Sequence, residues 1–438
     1  MKKYEQYKDS GVAWIGDIPS HWRVCKTKYI ANLFTGNSLN DSQKEEYSIS
    51  ASDSTLPYVA TKDITAENDT INYSNGINIP KNSLLKVAPE NTFLLCVEGG
   101  SAGRKIAYNT SPAYFVNKLC CFESKINPRY HYYFVKSHGF ANIFKQSIQG
   151  LIGGVSVSTL NNLEIAIPSM EEQQAIVRFL DYKVAKIDQL IAESEVQIEE
   201  LGKYKTAMIS EVVTKGLNPD APMRDSGIEW IGEIPAHWVV KRIKYIGKAE
   251  NGLTYTPGDI CDDTEGTLVL RSSNIQNGKL VFDDNVYVRS VPDSLKVRKG
   301  DIIICSRNGS ASLVGKSALV EKDMNACFGA FMMRFRSDFD SKYIHFLLTA
   351  AISQYKQLFT TTTINQLTIG LINNIAMPLI ENAVEQKSIV DYLDKKCADI
   401  DSVIRLLIEN IEQLKIYKTT LISEAVTGQI DVRDWHEK

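Results

Sequence analysis

The chain of 438 residues has no run of about 18 consecutive apolar residues, so a helix spanning a membrane is not expected. Its opening MKKYEQYKDSG has lysines but no apolar stretch behind them, unlike a secretory signal, and the expected location is the cytoplasm. The eight cysteines form no CxxC pair, and most sit in apolar runs such as LLCVE and IIICS. That pattern predicts buried, reduced thiols and gives no spacing for a zinc site. The six histidines are few and scattered. Strong basicity is also missing: the net charge is −3 and the isoelectric point about 6.1. The charge is uneven, however. Residues 1–168 carry +3 and 217–378 carry +1, whereas 169–216 and 379–438 carry −3 and −4. A nucleic-acid partner needs only a local basic face, so this balance neither favours nor excludes one.

What the sequence does have is itself, twice. DSGVAWIGDIPSHW at 9–22 returns as DSGIEWIGEIPAHW at 225–238, an offset of 216, and Lys28-Tyr29-Ile30 returns at that offset as Lys244-Tyr245-Ile246. Further on, Tyr204-Lys205-Thr206 through Ile209-Ser210-Glu211 returns 213 residues later as Tyr417-Lys418-Thr419 through Ile422-Ser423-Glu424. Two copies are too few for a solenoid but suit one chain imitating a symmetric dimer about a pseudo-twofold axis. Between the matched ends, 35–160 and 251–368 share only fragments. A duplicated scaffold with divergent inserts predicts two related sites that bind different things.

Proline marks the scaffold by its absence: none falls between Pro168 and Pro219, and none follows Pro378. Ser169-x-x-Glu172 and Asn382-x-x-Glu385 are helix-entry signatures. A heptad-like seam follows each. In the first copy it runs through Ile176, Leu180, Val184, Ile187, Ile191, Ser194, Ile198, Leu201, Lys205, Met208 and Val212. In the second it runs through Ile389, Leu393, Cys397, Ile400, Ile404, Leu407, Ile411, Leu414, Lys418, Leu421 and Ala425, every member offset by 213. Alternating steps of four and three predict two coiled-coil helices, each of about 45 residues and roughly 67 Å. A pseudo-twofold arrangement favours antiparallel pairing; the alternative is that each helix docks separately on its own domain. Lys205 and Lys418 interrupt the seam at matched places, where they either snorkel or fix the register.

The segments 35–168 and 251–378 read as short strands with turns between them, such as LPYVATKDI, NTFLLCVEGG and YFVNKLCCFE, or GTLVLRSSNI, GDIIICSRNGS and CFGAFMMRF, followed by helical pieces near 130–148 and 341–358. They are expected to be α+β domains. Their polar loops offer candidate nucleic-acid contacts: Lys62, Ser101, Arg104, Lys105, Gln146 and Gln149 in the first copy, and Arg271, Ser272, Asn274, Ser306, Arg307, Asn308, Lys316, Thr362, Asn365 and Gln366 in the second. Arg reads guanine bidentately, Asn and Gln read adenine, and Lys, Ser, Thr and backbone amides hold phosphates. Ordinary hairpin turns have the same composition, so the loops alone do not decide.

Catalytic motifs are incomplete. Gly309 to Ser317 approximates a phosphate-binding P-loop but has five residues between its glycines where the motif needs four. Asn127-Pro128-Arg129-Tyr130 resembles an amino-methyltransferase motif with its second proline replaced. His21-Trp22 and His237-Trp238 repeat with the scaffold and read as packing. Pro292-Asp293 begins a nuclease motif that nothing completes. No catalytic or metal-binding residue is assigned.

The repeated SGxxWIGxIPxHW head, the Pro168…Glu172-Gln173 and Pro378…Glu385-Gln386 helix entries, Ile187-Asp188 with Ile400-Asp401, and Gly300-Asp301-Ile302-Ile303 ending in Ser306-Arg307-x-Gly309 resemble the specificity subunits of Type I restriction-modification systems over the whole chain. The first copy departs at that strand: Glu90-Asn91 replaces Gly-Asp and Val97-Glu98 replaces Ser-Arg, leaving Arg104 or Lys105 as substitutes. The resemblance implies an α+β protein with target-recognition domains at 1–168 and 217–378, separated by antiparallel coiled-coil helices within 169–216 and 379–438. It implies a non-catalytic reader of a split, asymmetric site in double-stranded DNA, with the helix pair setting the gap. Partners would be two methyltransferase subunits using S-adenosylmethionine and, unless the complex only methylates, restriction/translocase subunits using ATP and Mg. No cofactor is expected in this chain and no membrane. The competing classes are a free-standing nucleotide-dependent enzyme and a coiled-coil adaptor that never touches DNA.

Overall fold

The computed structural model describes residues 2–48, 51–66, 69–150, 153–355 and 365–436. It divides into two compact units, residues 1–195 with 407–438, and residues 196–406. The division cuts across both long helices, so each unit owns half of each.

Unit 1 is built on an antiparallel sheet whose strands lie in the order Ala31–Thr35, Leu119–Ser124, Thr92–Cys96, Ile106–Asn109. Thr92–Cys96 is buried along its whole length, as its unbroken apolar run requires of a central strand. A second sheet, Asn78–Pro80, Thr55–Val59, Ala113–Phe115, Val87–Ala88, contains the parallel pair Thr55–Val59 with Ala113–Phe115. The ribbon Arg23–Lys26 with Glu164–Ile167 closes the insert against the scaffold.

Unit 2 repeats the plan. Its antiparallel sheet runs Gly247–Asn251, Met332–Ser337, Ile302–Cys305, Ser317–Leu319. Its second sheet runs Ile260–Cys261, Tyr287–Val288, Thr267–Leu270, Ala326–Phe328 and again holds one parallel pair, Thr267–Leu270 with Ala326–Phe328. The closing ribbon is Val239–Arg242 with Ala376–Leu379. Two inserts that share only fragments of sequence therefore share the antiparallel sheet and the parallel pair, but the fourth strand of the second sheet lies on opposite edges: Val87–Ala88 pairs with Ala113–Phe115, whereas Ile260–Cys261 pairs with Tyr287–Val288.

The long helices are Met170–Lys215 and Ala383–Val426. Ser169 and Glu172 form a reciprocal capping box: Glu172 N donates to Ser169 Oγ (3.2 Å) and Ser169 N to Glu172 Oε2 (3.3 Å). Asn382 caps its helix one way only, accepting from Val384 N (2.9 Å) and Glu385 N (3.3 Å). In unit 1 the early part of the first helix (Ile176, Phe179, Leu180, Ile187) shares a core with the late part of the second (Leu421, Ile422, Ala425, Val426), and Ile191 and Leu414 pack against it. In unit 2 Met208, Ile209, Val212 and Val213 share a core with Ile389, Leu393, Cys397 and Ile400, with Leu201 and Ile404 against it. Both halves run antiparallel, and separate docking of each helix on its own domain is set aside. Of the remaining apolar seam positions, Val184, Ile198 and Leu407 are half-buried and Ile411 is buried, as is Ser194.

The seam lysines are ion-paired. Lys418 Nζ lies 2.7 Å from Asp188 Oδ1 in unit 1, and Lys205 Nζ lies 2.6 Å from Asp401 Oδ1 in unit 2. A lysine that must meet an aspartate on the facing helix penalises a slipped register, which a purely apolar seam tolerates better.

The second helix does not run on to the chain's end. It stops at Val426, and Gly428 (φ +74°) turns the chain back; a Cβ there would collide with Pro19 and Trp22. Ile430 and Val432 are buried in unit 1, and Trp435 packs on Phe179 and Tyr182. Within 379–438 the helix therefore has close to the expected length of about 45 residues, and the glycine and three apolar side chains with a core to fill end it there.

Of the cysteines, only Cys25 and Cys261 are not buried, and all eight are free thiols. Burial pushes the Cys121 and Cys327 thiols up to about 12, so neither is nucleophilic near neutral pH.

Candidate nucleic-acid interface

Each unit carries a polar position at the end of its central strand. In unit 2, Ile302–Cys305 runs through Ser306 into a two-residue strand, Arg307–Asn308, that pairs with Asn365–Gln366. The pairing sets Arg307 opposite Gln366, and the guanidinium Nη2 donates to Gln366 Oε1 at 2.9 Å. The same guanidinium lies 5.6 Å from the centre of the Phe331 ring. Phe331 is 59 % exposed, and its carbonyl accepts from Ser306 N (2.9 Å) and Arg307 N (3.2 Å). Asn308 Nδ2 donates to Ser272 Oγ (3.2 Å), and Asn365 Nδ2 to Gly309 O (3.2 Å). Five sequence candidates, Ser272, Arg307, Asn308, Asn365 and Gln366, are thus joined by strand pairing and hydrogen bonds, with Arg307 over an aromatic ring. An arginine held by a glutamine and a ring loses little freedom when it meets a flat partner.

Other candidates in this unit are placed differently. Asn274 is fully buried: its Oδ1 accepts from Arg271 N (3.0 Å), and its Nδ2 donates to Val281 O (3.1 Å) and Asp284 O (3.2 Å). It shapes a turn, and the expectation that it meets a ligand is corrected. Ser306 is likewise buried beneath the cluster, its backbone amide and carbonyl both used. Lys316 Nζ donates to Ile275 O (2.9 Å). The segment around it leads into the strand Ser317–Leu319, whereas a P-loop leads into a helix. Arg271 is paired with Asp284 at 2.8 Å. Thr362, with its neighbours from Thr360 to Thr363, lies outside the described residues.

Unit 1 builds the same backbone with other side chains. Val97 N donates to Lys118 O (2.9 Å) as Ser306 N does to Phe331 O, and Cys96 Sγ donates to Glu98 O (3.5 Å) as Cys305 Sγ does to Arg307 O (3.7 Å). Glu98 bridges to Gly154 where Arg307 pairs with Gln366. Val155 N donates to Val97 O (2.9 Å) as Leu367 N does to Ser306 O (2.8 Å). Glu98, Asn117, Gln149 and Ser156 line an open cleft at this point. Gln149 is the one sequence candidate within it. Lys105 Nζ instead donates to Thr61 O (2.7 Å), matching Lys316 in unit 2, and Arg104 folds back on Gly100 O. Neither takes the place of Arg307. Lys62 and Gln146 are exposed away from the cleft lining, and Ser101 receives the turn amides of Arg104 (3.0 Å) and Lys105 (3.3 Å).

The scaffold fixes these positions through repeated contacts. Glu172 accepts from Trp22 Nε1 (3.3 Å) and meets His21 Nε2 at 2.9 Å; Glu385 does the same for Trp238 (3.0 Å) and His237 (2.9 Å). Burial alone would raise the Glu172 carboxyl, but the hydrogen bonds from His21, Trp22 and Ser169 N outweigh it and hold it below the usual carboxylate range. Arg129 Nε pairs with Asp181 (2.9 Å), and Lys342 pairs with Asp394 (2.5 Å) at the matched positions. Asn127 of the methyltransferase-like segment caps a helix, accepting from Arg129 N (3.0 Å) and Tyr130 N (3.2 Å). Phe331 and Glu98 were missed as candidates. An exposed aromatic beside an arginine, and a carboxylate at the arginine's repeat position, were the available signals.

Two units built on the same antiparallel sheet, each presenting a different polar position on a common scaffold, define a duplicated recognition protein. The chain matches the Type I restriction modification DNA specificity domain twice, at residues 19–200 and 235–413. It therefore belongs to the family of Type I restriction-modification specificity subunits, the sequence-recognition subunits of those complexes. The MjaVIII specificity subunit of Methanocaldococcus jannaschii is 24 % identical over 437 residues, covering 95 % of each chain. The EcoKI specificity subunit of Escherichia coli is 30 % identical over 208 residues, 45 % of this chain and 44 % of its own. A chain from a structure addressing complex assembly and conformational transition of the type I R-M system superposes with a TM-score of 0.70 at 16 % identity, covering 94 % of this chain and 99 % of that one. That likeness concerns the fold. Among the described residues no helix is long and apolar enough to cross a membrane.

Proposed function

We propose that the chain reads a bipartite, asymmetric site in double-stranded DNA, one half per unit, within the major groove. Arg307 meets guanine O6 and N7 while Gln366 and Phe331 hold its guanidinium flat. The long helices set the length of unread duplex between the halves. Two methyltransferase subunits supply S-adenosylmethionine chemistry, and restriction/translocase subunits supply the ATP- and Mg-dependent steps, so this chain needs no cofactor. The complex works in the cytoplasm. The observation that carries the reading is the contrast between a repeated scaffold and a divergent polar position at the same point of each unit. Insertion of one or more heptads into residues 190–205, matched in the antiparallel helix, tests it. The gap in the recognised site is expected to lengthen with both half-sites unchanged; an unaltered gap rejects the helices as the spacer.

A further inference from the structure

Glu98 carries the inference furthest. Its carboxylate is half-buried at the cleft and has no hydrogen bond or ion pair among the described residues. Four backbone or thiol contacts put it where Arg307 stands in unit 2. Where Arg307 faces Gln366, Glu98 faces Gly154, which offers no side chain. A carboxylate with nothing to accept from is costly beside a phosphate-lined duplex unless the duplex supplies a donor. In the major groove a carboxylate can only accept; adenine N6 sits beside the N7 lone pair, which repels a second carboxylate oxygen, so the donor it suits is the cytosine N4 amine.

We propose that Glu98 and Arg307 are the same reading position in opposite hydrogen-bonding sense: Arg307 donates to guanine in one half-site, and Glu98 accepts from the N4 amine of a cytosine in the other. This rests on the DNA-reading function proposed above and assigns a base class to each unit. It also accounts for Arg104 and Lys105 being tied to the backbone of their own unit. No arginine need replace Arg307, because the position reads a donor.

The test uses the full chain assembled with its partner subunits, challenged with randomised duplexes whose bound fraction is sequenced. The native complex is expected to require cytosine at one position of one half-site. Glu98→Gln, which can pair with adenine, is expected to shift that single position toward adenine, with discrimination for cytosine falling about fivefold to a hundredfold. Glu98→Ala is expected to leave the position unselective. The second half-site should be unchanged in both, which also reports that the chain is folded. A native bipartite site whose preferences survive both variants, a shifted position that is guanine or thymine in the native site, or a uniform weakening of the whole half-site overturns the proposal. A native complex with no sequence preference overturns the DNA-reading function itself, and this proposal with it.

Discussion

The two units differ least where they are held and most where they present polar side chains. Trp22 and Trp238 both donate to a helix-entry glutamate, and Lys418 and Lys205 both reach an aspartate on the facing helix. At the strand end, by contrast, one unit has Arg307 over the Phe331 ring and bonded to Gln366, and the other has Glu98 bridged to a glycine at an open cleft. The lesson is that the backbone supplies a fixed position and the side chain there supplies the meaning. Specificity can diverge in one unit without disturbing the register of the other.

The largest expected effect breaks this comparison at its most built side. Arg307→Ala should lose discrimination at one half-site by about 1–3 kcal/mol, read as altered base preference of the complete complex, with the other half-site intact. Equal weakening of both halves would show that the units do not read independently.

Next is the attachment of each insert to its helix, where the units are alike in plan but unequal in strength. Arg129 is enclosed by Tyr108, Tyr132 and Tyr133 at 4.8, 5.2 and 5.3 Å, and Asp181 also accepts from Tyr133 Oη at 2.6 Å. Lys342 and Asp394 form an exposed pair. Asp181→Ala is expected to cost about 2 kcal/mol in denaturant unfolding and Asp394→Ala less than about 0.5 kcal/mol. Equal costs would mean that the tyrosine enclosure contributes nothing.

The seam lysines should be equivalent instead. Lys205→Ala and Lys418→Ala are each expected to cost about 1 kcal/mol, since both pairs are only partly buried. A clear inequality would sharpen the comparison by showing which half of the helix pair sets the register.

The last effect is absent at neutral pH and grows only in acid. Burial pushes His131 down to about 3 and His345 down to about 4, so both are neutral in the folded chain at pH values where the unfolded chain already binds a proton. The stability this gives is present above the unfolded value near 6.5 and is lost as pH falls toward each folded value, by up to about 1.4 kcal/mol per pH unit for each histidine. His131→Phe and His345→Phe should both flatten the acid limb of a thermal-unfolding profile between about pH 6.5 and 4. An unchanged slope would place the proton uptake elsewhere.

Much of this molecule was legible in its residues, for a physical reason. Helix periodicity and capping are local, so Ser169, Glu172 and the seam from Ile176 to Val212 marked a long helix, which the structure shows as Met170–Lys215. The repeat offset then implied an antiparallel pair. What was not legible depended on contacts distant in sequence. That the seam lysines meet Asp188 and Asp401, 230 and 196 residues away, required the register. That Trp435 caps Phe179 required knowing where the last residues return. Asn274 looked like a ligand-binding amide and proved to be a turn-former, because nothing local distinguishes an amide facing out from one satisfied within. The polar cluster was half visible: Arg307, Asn308, Asn365 and Gln366 could be named, but their pairing across 59 residues and the ring beneath them could not.

The most direct measurement is the base preference of the complete complex formed by the native chain, read from bound randomised duplex. Two short blocks of preferred bases separated by a gap of constant length are the predicted result. A single continuous block, or binding indifferent to sequence, would contradict two readers held apart on one scaffold.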